Sequence, residues 1–319
     1  MYTYNVLLTD LPLLERKGAE ICHIGASVSG RMIPMIHVGG HAGKQILIQG
    51  AIHAREHITA KLVVMQIYYL LTDGDKGVSA VRKERFLAKG TYLNVRDQAE
   101  NPFFRDDHAP FAPSGGIYFI PMSNPDGVSL CQFGLDSVSK SGCKRKLLEI
   151  NGGSSDFSLW KANLNAVDLN CNFPARWGTG AQNVTAPAPE SYIGPAPESE
   201  PETRALTGIT AKINPALTIS YHCKGREIYW QFHQTGERLS RDKKIAEAFA
   251  KETGYALIDG DRGSAGGYKD WCIERFKIPA YTFEAIDDNY QHPVPYSALA
   301  EEYPLNKDIP LLALECCHC

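Results

Sequence analysis

The chain has 319 residues, of which 44% are hydrophobic and 22% charged, the balance of a globular protein with a sizeable core. Its 33 basic and 36 acidic residues leave a formal charge of -3, too little for an electrostatic grip on nucleic acid or an anionic membrane. No run of about 18 apolar residues occurs, so no membrane span is expected.

The first twenty residues, MYTYNVLLTDLPLLERKGAE, read as a short amphipathic helix. They lack a basic stretch followed by a long apolar core, so no signal peptide is expected and the location reads as cytoplasmic. The nine cysteines are scattered before bunching at Cys316, Cys317 and Cys319, which suits free thiols in a reducing compartment. Ile21 to Gly40 has two segments split by Ser-Gly, a hairpin pattern. Lys44 to Ile52 is a continuous apolar run, fit for a strand buried on both faces. The segment EHITAKLVVMQIYYLLTDG has helical spacing and should end near Gly74. Gly116 to Val128 is a buried strand running into the turn Asn124-Pro125-Asp126-Gly127. Residues 129–165 and 185–200 look irregular. Ser199-Glu200-Pro201-Glu202 matches a capping box for a helix reaching about Lys212. Ala216 to Gly225 and Ile278 to Ile286 are two more core strands. Between them lie a helix over Glu237 to Gly254, closed by glycine, and a short helix over Gly266 to Phe276. A last helix occupies roughly 300–315. This alternation, without an internal repeat, predicts one α/β domain with a central, mostly parallel sheet flanked by helices. An N-terminal helical segment would cover 1–20, the core 21–290 and a C-terminal segment 291–319.

In such sheets ligands collect at the carboxyl ends of the strands. His53 and Glu56 follow the first buried strand, His222 ends a second, and Glu284 lies near the end of a third. Zinc accepts imidazole nitrogen and carboxylate oxygen, and a catalytic zinc keeps one position for water. A His-x-x-Glu pair at a strand-helix junction can converge on one ion, with His222 as third donor. Glu284 would then be free to take a proton. A lone His-x-x-Glu is also common by chance. His53 and His57 are four apart, like the pair in helical zinc proteases, but the residue after His53 is Ala54 rather than glutamate. His57 therefore reads as a packed or solvent-facing histidine at a helix start.

GAIHAREHITA resembles the zinc-binding segment of the carboxypeptidase-A-like zinc peptidases. PMSNPDG, WKANLNAVDLNCNFPARWG, SYHCKG, SAGGYKDW and AYTFEA resemble later segments of that family, in the family's order, over about Ile21 to Ala285. The resemblance implies the zinc carboxypeptidase fold, a peptide substrate and one zinc per chain. It implies His53, Glu56 and His222 as ligands and Glu284 as general base. Asp168 would hold the imidazole of His53.

Three positions depart from the pattern. Family exopeptidases carry an arginine after the asparagine that grips the substrate's terminal carboxylate, and here the pair is Asn170-Cys171. A thiol cannot make that bidentate, charged contact. The residue aligned with a second arginine is Lys161, which still brings positive charge to a developing oxyanion. The position of the family's mobile tyrosine is Arg262, and Tyr268 lies beyond the glycines. The pattern most resembles the bacterial branch that cleaves γ-D-glutamyl bonds to meso-diaminopimelate in cell-wall peptides. Such a substrate carries several carboxylates, for which Arg55, Arg262 and Arg176 are candidate anchors. The alternatives are a carboxypeptidase of other acidic peptides, an N-acyl amino acid amidohydrolase, or a non-catalytic binding protein that keeps the pocket.

Other features point elsewhere less well. LECCHC crowds its donors too closely for one tetrahedral ion, and no role for its cysteines is legible. GDRGSAGG lacks the lysine and hydroxyl residue of a P-loop. A cysteine hydrolase built on Cys171 or Cys223 would compete for His222. The sequence is silent on oligomeric state.

Overall fold

The computed structural model describes residues 1–72 and 115–317. The N-terminal segment forms α1 (Tyr4–Arg16), started by the Thr3 hydroxyl accepting from Val6 N at 3.1 Å. Leu7, Leu11 and Leu14 are its buried face. The predicted hairpin is β1 (Glu20–Ala26) and β2 (Met32–Gly39), paired antiparallel. The first buried strand is β3 (Lys44–Gly50), followed by α2 (Ile58–Thr72). The Gly74 end expected for this helix lies outside the described residues.

The Gly116 to Val128 segment divides. β4 (Gly115–Ile120) is a strand, but the Asn-Pro-Asp-Gly signal is a helix start rather than a simple turn. Asn124 Oδ1 accepts from Gly127 N at 2.9 Å, and Pro125 opens α3 (Pro125–Phe133). A second helix, α4 (Ser141–Ile150), occupies part of the stretch expected to be irregular. Only Leu147 of α4 is buried, so its sequence shows almost no apolar stripe to read.

α5 (Pro201–Ile213) has proline in its first turn, as expected. Its cap is Glu200 rather than Ser199, and Glu202 is drawn instead to Val28 N (3.2 Å) and Asn163 Nδ2 (3.1 Å). β5 (Leu217–Cys223), α6 (Gly236–Thr253), α7 (Tyr268–Trp271) and β8 (Ala280–Ala285) follow the expected order. The three-residue strands β6 (Glu227–Tyr229) and β7 (Ala256–Ile258) are too short to leave a periodic signal. The last helix is broken into α8 (Leu299–Asn306) and α9 (Ile309–Cys316), with Pro310 in the first turn of the second. Cys319 lies outside the described residues.

The eight strands form one mixed sheet in the order β1-β2-β4-β3-β5-β8-β6-β7. Four of its seven pairings are parallel: β4 with β3, β3 with β5, β5 with β8, and β6 with β7. One face packs Ile48, Ile219, Tyr221 and Phe283 against α1, α2, α6, α8 and α9. The other packs Leu47, Ile120 and Ala280 against α5, α7, Phe173 and Phe232. Because side chains alternate between faces along a strand, Gln49, Ser220, His222 and Glu284 share the second face. Among the described residues no helix is long and apolar enough to cross a membrane.

Candidate metal centre

The site begins where β3 stops. Ala51 has a positive φ of 48° and turns the chain out of the sheet. Thr59 locks this turn: its hydroxyl accepts from Ala51 N and donates to Glu56 O, both at 2.8 Å. Asn124 adds a brace by donating to Ile52 O at 3.1 Å and Ala162 O at 3.2 Å. His53 and Glu56 are thereby held on either side of one short 3-10 turn, Ala54–Glu56. His222 reaches them from β5, and the register sets Glu284 of β8 directly beside it.

His53 Nδ1 lies 2.8 Å from Glu56 Oε1 and 3.0 Å from His222 Nδ1, which lies 3.1 Å from Glu56 Oε2. All three residues are buried. Donor atoms on a tetrahedral zinc with bonds of about 2.0 Å stand roughly 3.3 Å apart. The three donors are thus already drawn to one centre at close to that spacing, and the His-Glu-His set could hold a metal ion. Two imidazole nitrogens facing each other at this range need a shared proton or a cation between them, and the His2Glu chemistry suits zinc.

Electrostatics grade the carboxylates. Burial alone would raise Glu56, but the charges and hydrogen bonds of His53 and His222 outweigh it and hold it well below the usual range. Enclosure by the protein pushes Glu284 up to about 7, with His222 opposing and Glu56 reinforcing the shift. No hydrogen bond or ion pair engages the Glu284 carboxylate among the described residues. A carboxylate held charged and one held near neutrality therefore stand beside the same imidazole.

Asp168 is buried beside this trio. Its oxygens accept from Asn170 N and Ser191 N, each at 3.1 Å, and lie 3.2 Å from His53 Nε2 and 3.4 Å from Lys161 Nζ. Burial opposes its charge, yet Lys161 and His53 hold it well below the usual carboxylate range. The same pairing keeps Lys161 protonated, because Asp168 and Glu56 overcome a desolvation that would lower it.

The remaining candidates separate. Arg55 reaches Glu190 at 3.2 Å and Leu159 O at 3.3 Å. Cys171 is half-buried, and burial together with Asp168 pushes its thiol up, away from a reactive thiolate. Asn170 spends its carbonyl oxygen on Tyr268 N at 3.0 Å. Arg262 is exposed on a turn with φ of 51° and acts electrostatically on Tyr229, whose hydroxyl donates to Glu227, the neighbour of Glu284 in the sheet. Arg176 meets Glu274 at 3.5 Å on the surface. The structure does not bring Tyr268 to the pocket. Its ring is fully buried near Phe173 and Trp271, and its hydroxyl lies 2.8 Å from Thr210 Oγ1. His57 is packed too, with Nδ1 2.6 Å from the Tyr296 hydroxyl.

Two groups escaped the sequence. A polar chain runs behind His222: Nε2 is 3.3 Å from Ser220 Oγ, Gln49 Nε2 donates to that hydroxyl, and Ser123 Oγ donates to Gln49 Oε1 at 2.8 Å. The i, i+2 spacing of Ser220 and His222 was its one legible sign. His292 feels the charges of Glu56, Arg55, Lys224 and His53, and its Nδ1 is buried without a partner among the described residues. It lies within electrostatic reach of that pocket from the C-terminal segment.

The fold and donor set together define a zinc-peptidase-like centre at the carboxyl ends of a mixed sheet. The sequence matches the zinc carboxypeptidase family over residues 11–86 and 111–307, and the chain belongs to that family. It is 31% identical over 286 residues to the gamma-D-glutamyl-L-diamino acid endopeptidase 1 of Lysinibacillus sphaericus, covering 89% of this chain and 65% of that protein. The chain thus spans just under two thirds of that relative's length. Bovine thrombin-activatable fibrinolysis inhibitor, solved with a tick carboxypeptidase inhibitor, superposes with a TM-score of 0.70 at 18% identity, covering 99% of this chain and 96% of the other. The murein-tripeptide amidase of Escherichia coli O157 superposes with a TM-score of 0.51 at 20% identity, covering 93% and 94%. Both share the fold.

Proposed function

We propose that the chain is a zinc-dependent metallopeptidase, acting as one peptidase domain, that hydrolyses the γ-D-glutamyl–meso-diaminopimelate bond of murein-derived peptides. The observation that carries the reading is the convergence of His53, Glu56 and His222 on one centre, with Glu284 adjacent in the sheet and its carboxylate without a hydrogen bond among the described residues. His53, Glu56 and His222 would hold the zinc. When bound, that ion supplies Lewis acidity toward a water and an amide carbonyl. Glu284, poised near neutrality, accepts the proton of the attacking water and returns it to the leaving amine. Lys161 places a fixed positive charge where the oxyanion develops. Asp168 holds both Lys161 and the imidazole of His53 in place.

The substrate reading is supported by the 31% identical relative, whose name describes this bond class, and by the neutral thiol of Cys171 where a carboxylate-gripping arginine would stand. Arg55 and Arg262 are the proposed contacts for the substrate's carboxylates, with Asn170 and Cys171 as further proposed substrate contacts. Tyr268 has no such role in this arrangement. Free thiols at Cys22, Cys131, Cys143, Cys171, Cys223 and Cys272 support a cytoplasmic setting.

Digestion of defined muropeptides, followed by mass spectrometry with and without a chelator, tests the reading. Chelator-sensitive release of diaminopimelate-containing fragments is the expected result. Cleavage of α-linked L-peptides or N-acyl amino acids alone would overturn the substrate assignment. Stoichiometric zinc with no turnover on any of these would favour a binding protein.

A further inference from the structure

At the opposite end of the sheet lies a second cluster of metal-ligating side chains. The register of β1 and β2 sets Glu20 opposite His37, and that of β2 and β4 sets His37 opposite Tyr118. Directly opposed residues project from the same face, so these three form a row across the strands. The turn after β2 folds His41 back over the row. Its ring stacks on His37 with centroids 4.3 Å apart and planes inclined by 20°. Its Nε2 lies 2.9 and 3.0 Å from the two Glu20 carboxylate oxygens, and its Nδ1 lies 3.5 Å from the Tyr118 hydroxyl.

His37 is the telling member. It is only 4% exposed, and the side chain that reaches its ring is Gln45, whose Oε1 sits beside His37 Nε2. That contact leaves His37 Nδ1 buried without a partner among the described residues, and a metal-bound histidine commonly uses one ring nitrogen for the ion and the other for such an outer hydrogen bond. Gly116 makes the room: a Cβ there would run into His37 Nε2 and come within 2.7 Å of Gln45 Oε1. One nitrogen each from His37 and His41 and one oxygen from Glu20 lie within 4.8 Å of one another.

We infer that Glu20, His37 and His41 form a second, peripheral binding site for a divalent transition ion such as zinc. Two nitrogens and a carboxylate oxygen are zinc's usual donors, with solvent completing the set. His41 precedes β3 and His53 follows it, and the strand is seven residues long, so the two centres are roughly 20 Å apart. Glu20 and His41 are 64% and 60% exposed at their side chains. Ordering two exposed side chains makes this the weaker site, filled only when zinc exceeds one equivalent. Loading it ties the turn between β2 and β3 to the edge strand β1.

Full-length protein carrying one equivalent of zinc, titrated with further zinc by calorimetry, tests the inference. Wild type takes up a second equivalent. His41→Ala and Glu20→Gln, both at exposed positions, lose at least tenfold in affinity for it while keeping the first equivalent and unchanged peptide hydrolysis. His53→Ala does the reverse, losing the first and keeping the second. Wild type that stays at one equivalent up to millimolar zinc would overturn the inference. So would a second equivalent that His41→Ala binds as tightly. The peptidase reading survives either failure, because it rests on the other ion.

Discussion

Glu284→Gln isolates proton transfer from everything else in the pocket. The amide keeps the size of the carboxyl, and the carboxylate accepts no hydrogen bond among the described residues, so the fold loses nothing. Removing a negative charge that repels Glu56 leaves the metal ligands in place. A positioned general base contributes about 10²–10⁴-fold, so kcat should drop by that range, about 3–5 kcal/mol of barrier. The pH profile gives a second readout. Enclosure holds Glu284 at about 7 without metal, and a nearby cation lowers it. The protonated form cannot accept a proton, so activity is lost as pH falls through a limb lying at or below pH 7. The variant should lack that limb. The assay is release of diaminopimelate-containing product from a defined muropeptide between pH 5 and 9, with zinc content measured alongside. A variant within threefold of wild type at pH 7, carrying its full zinc, would refute the assignment of the base.

Asp168→Ala strips the buried partner from Lys161 and His53, which should cost about 3–5 kcal/mol of stability and about 10–100-fold in zinc affinity; thermal melts and zinc competition would show both. Cys171→Ser should change hydrolysis by less than threefold, because burial keeps the thiol protonated; abolition of activity would revive a thiol nucleophile. Glu202, buried at the start of α5, is pushed up to about 7 by desolvation. A carboxyl raised in the folded state costs stability as pH climbs from its unfolded value through 7, on the order of 3 kcal/mol across that window. Glu202→Gln should flatten the slope of stability between pH 4.5 and 7 in denaturant titrations. Prolonged chelation should abolish hydrolysis, and one equivalent of zinc should restore it.

The residues of the candidate metal centre were legible because each sits at the end of a strand whose apolar run is long enough to read, and because His53 and Glu56 are only three apart. Glu284 was legible for the same reason, although only the register of β5 and β8 puts it beside His222. What depended on register alone was hidden. Gln49 stands opposite Ser220, and apart from the i, i+2 spacing of Ser220 and His222 nothing local announces the chain they form behind the imidazole. Glu20, His37 and His41 were silent in the same way, joined by strand pairing and one turn. Tyr268 misled because adjacency to the glycines says nothing about which way a four-residue helix faces; Thr210 and two aromatic rings turn it inward. The helix α4 escaped because a single buried leucine gives no periodicity to detect.

The account stands on a cation shared by His53, Glu56 and His222. Anomalous diffraction at the zinc edge, from crystals grown with one equivalent of zinc, tests it most directly. The predicted result is a single peak about 2.0–2.2 Å from both Nδ1 atoms and from the Glu56 carboxylate, with Glu284 beside it but not bonded to it. Zinc found only elsewhere, or a trio that stays paired to itself with no peak between, would contradict the claim.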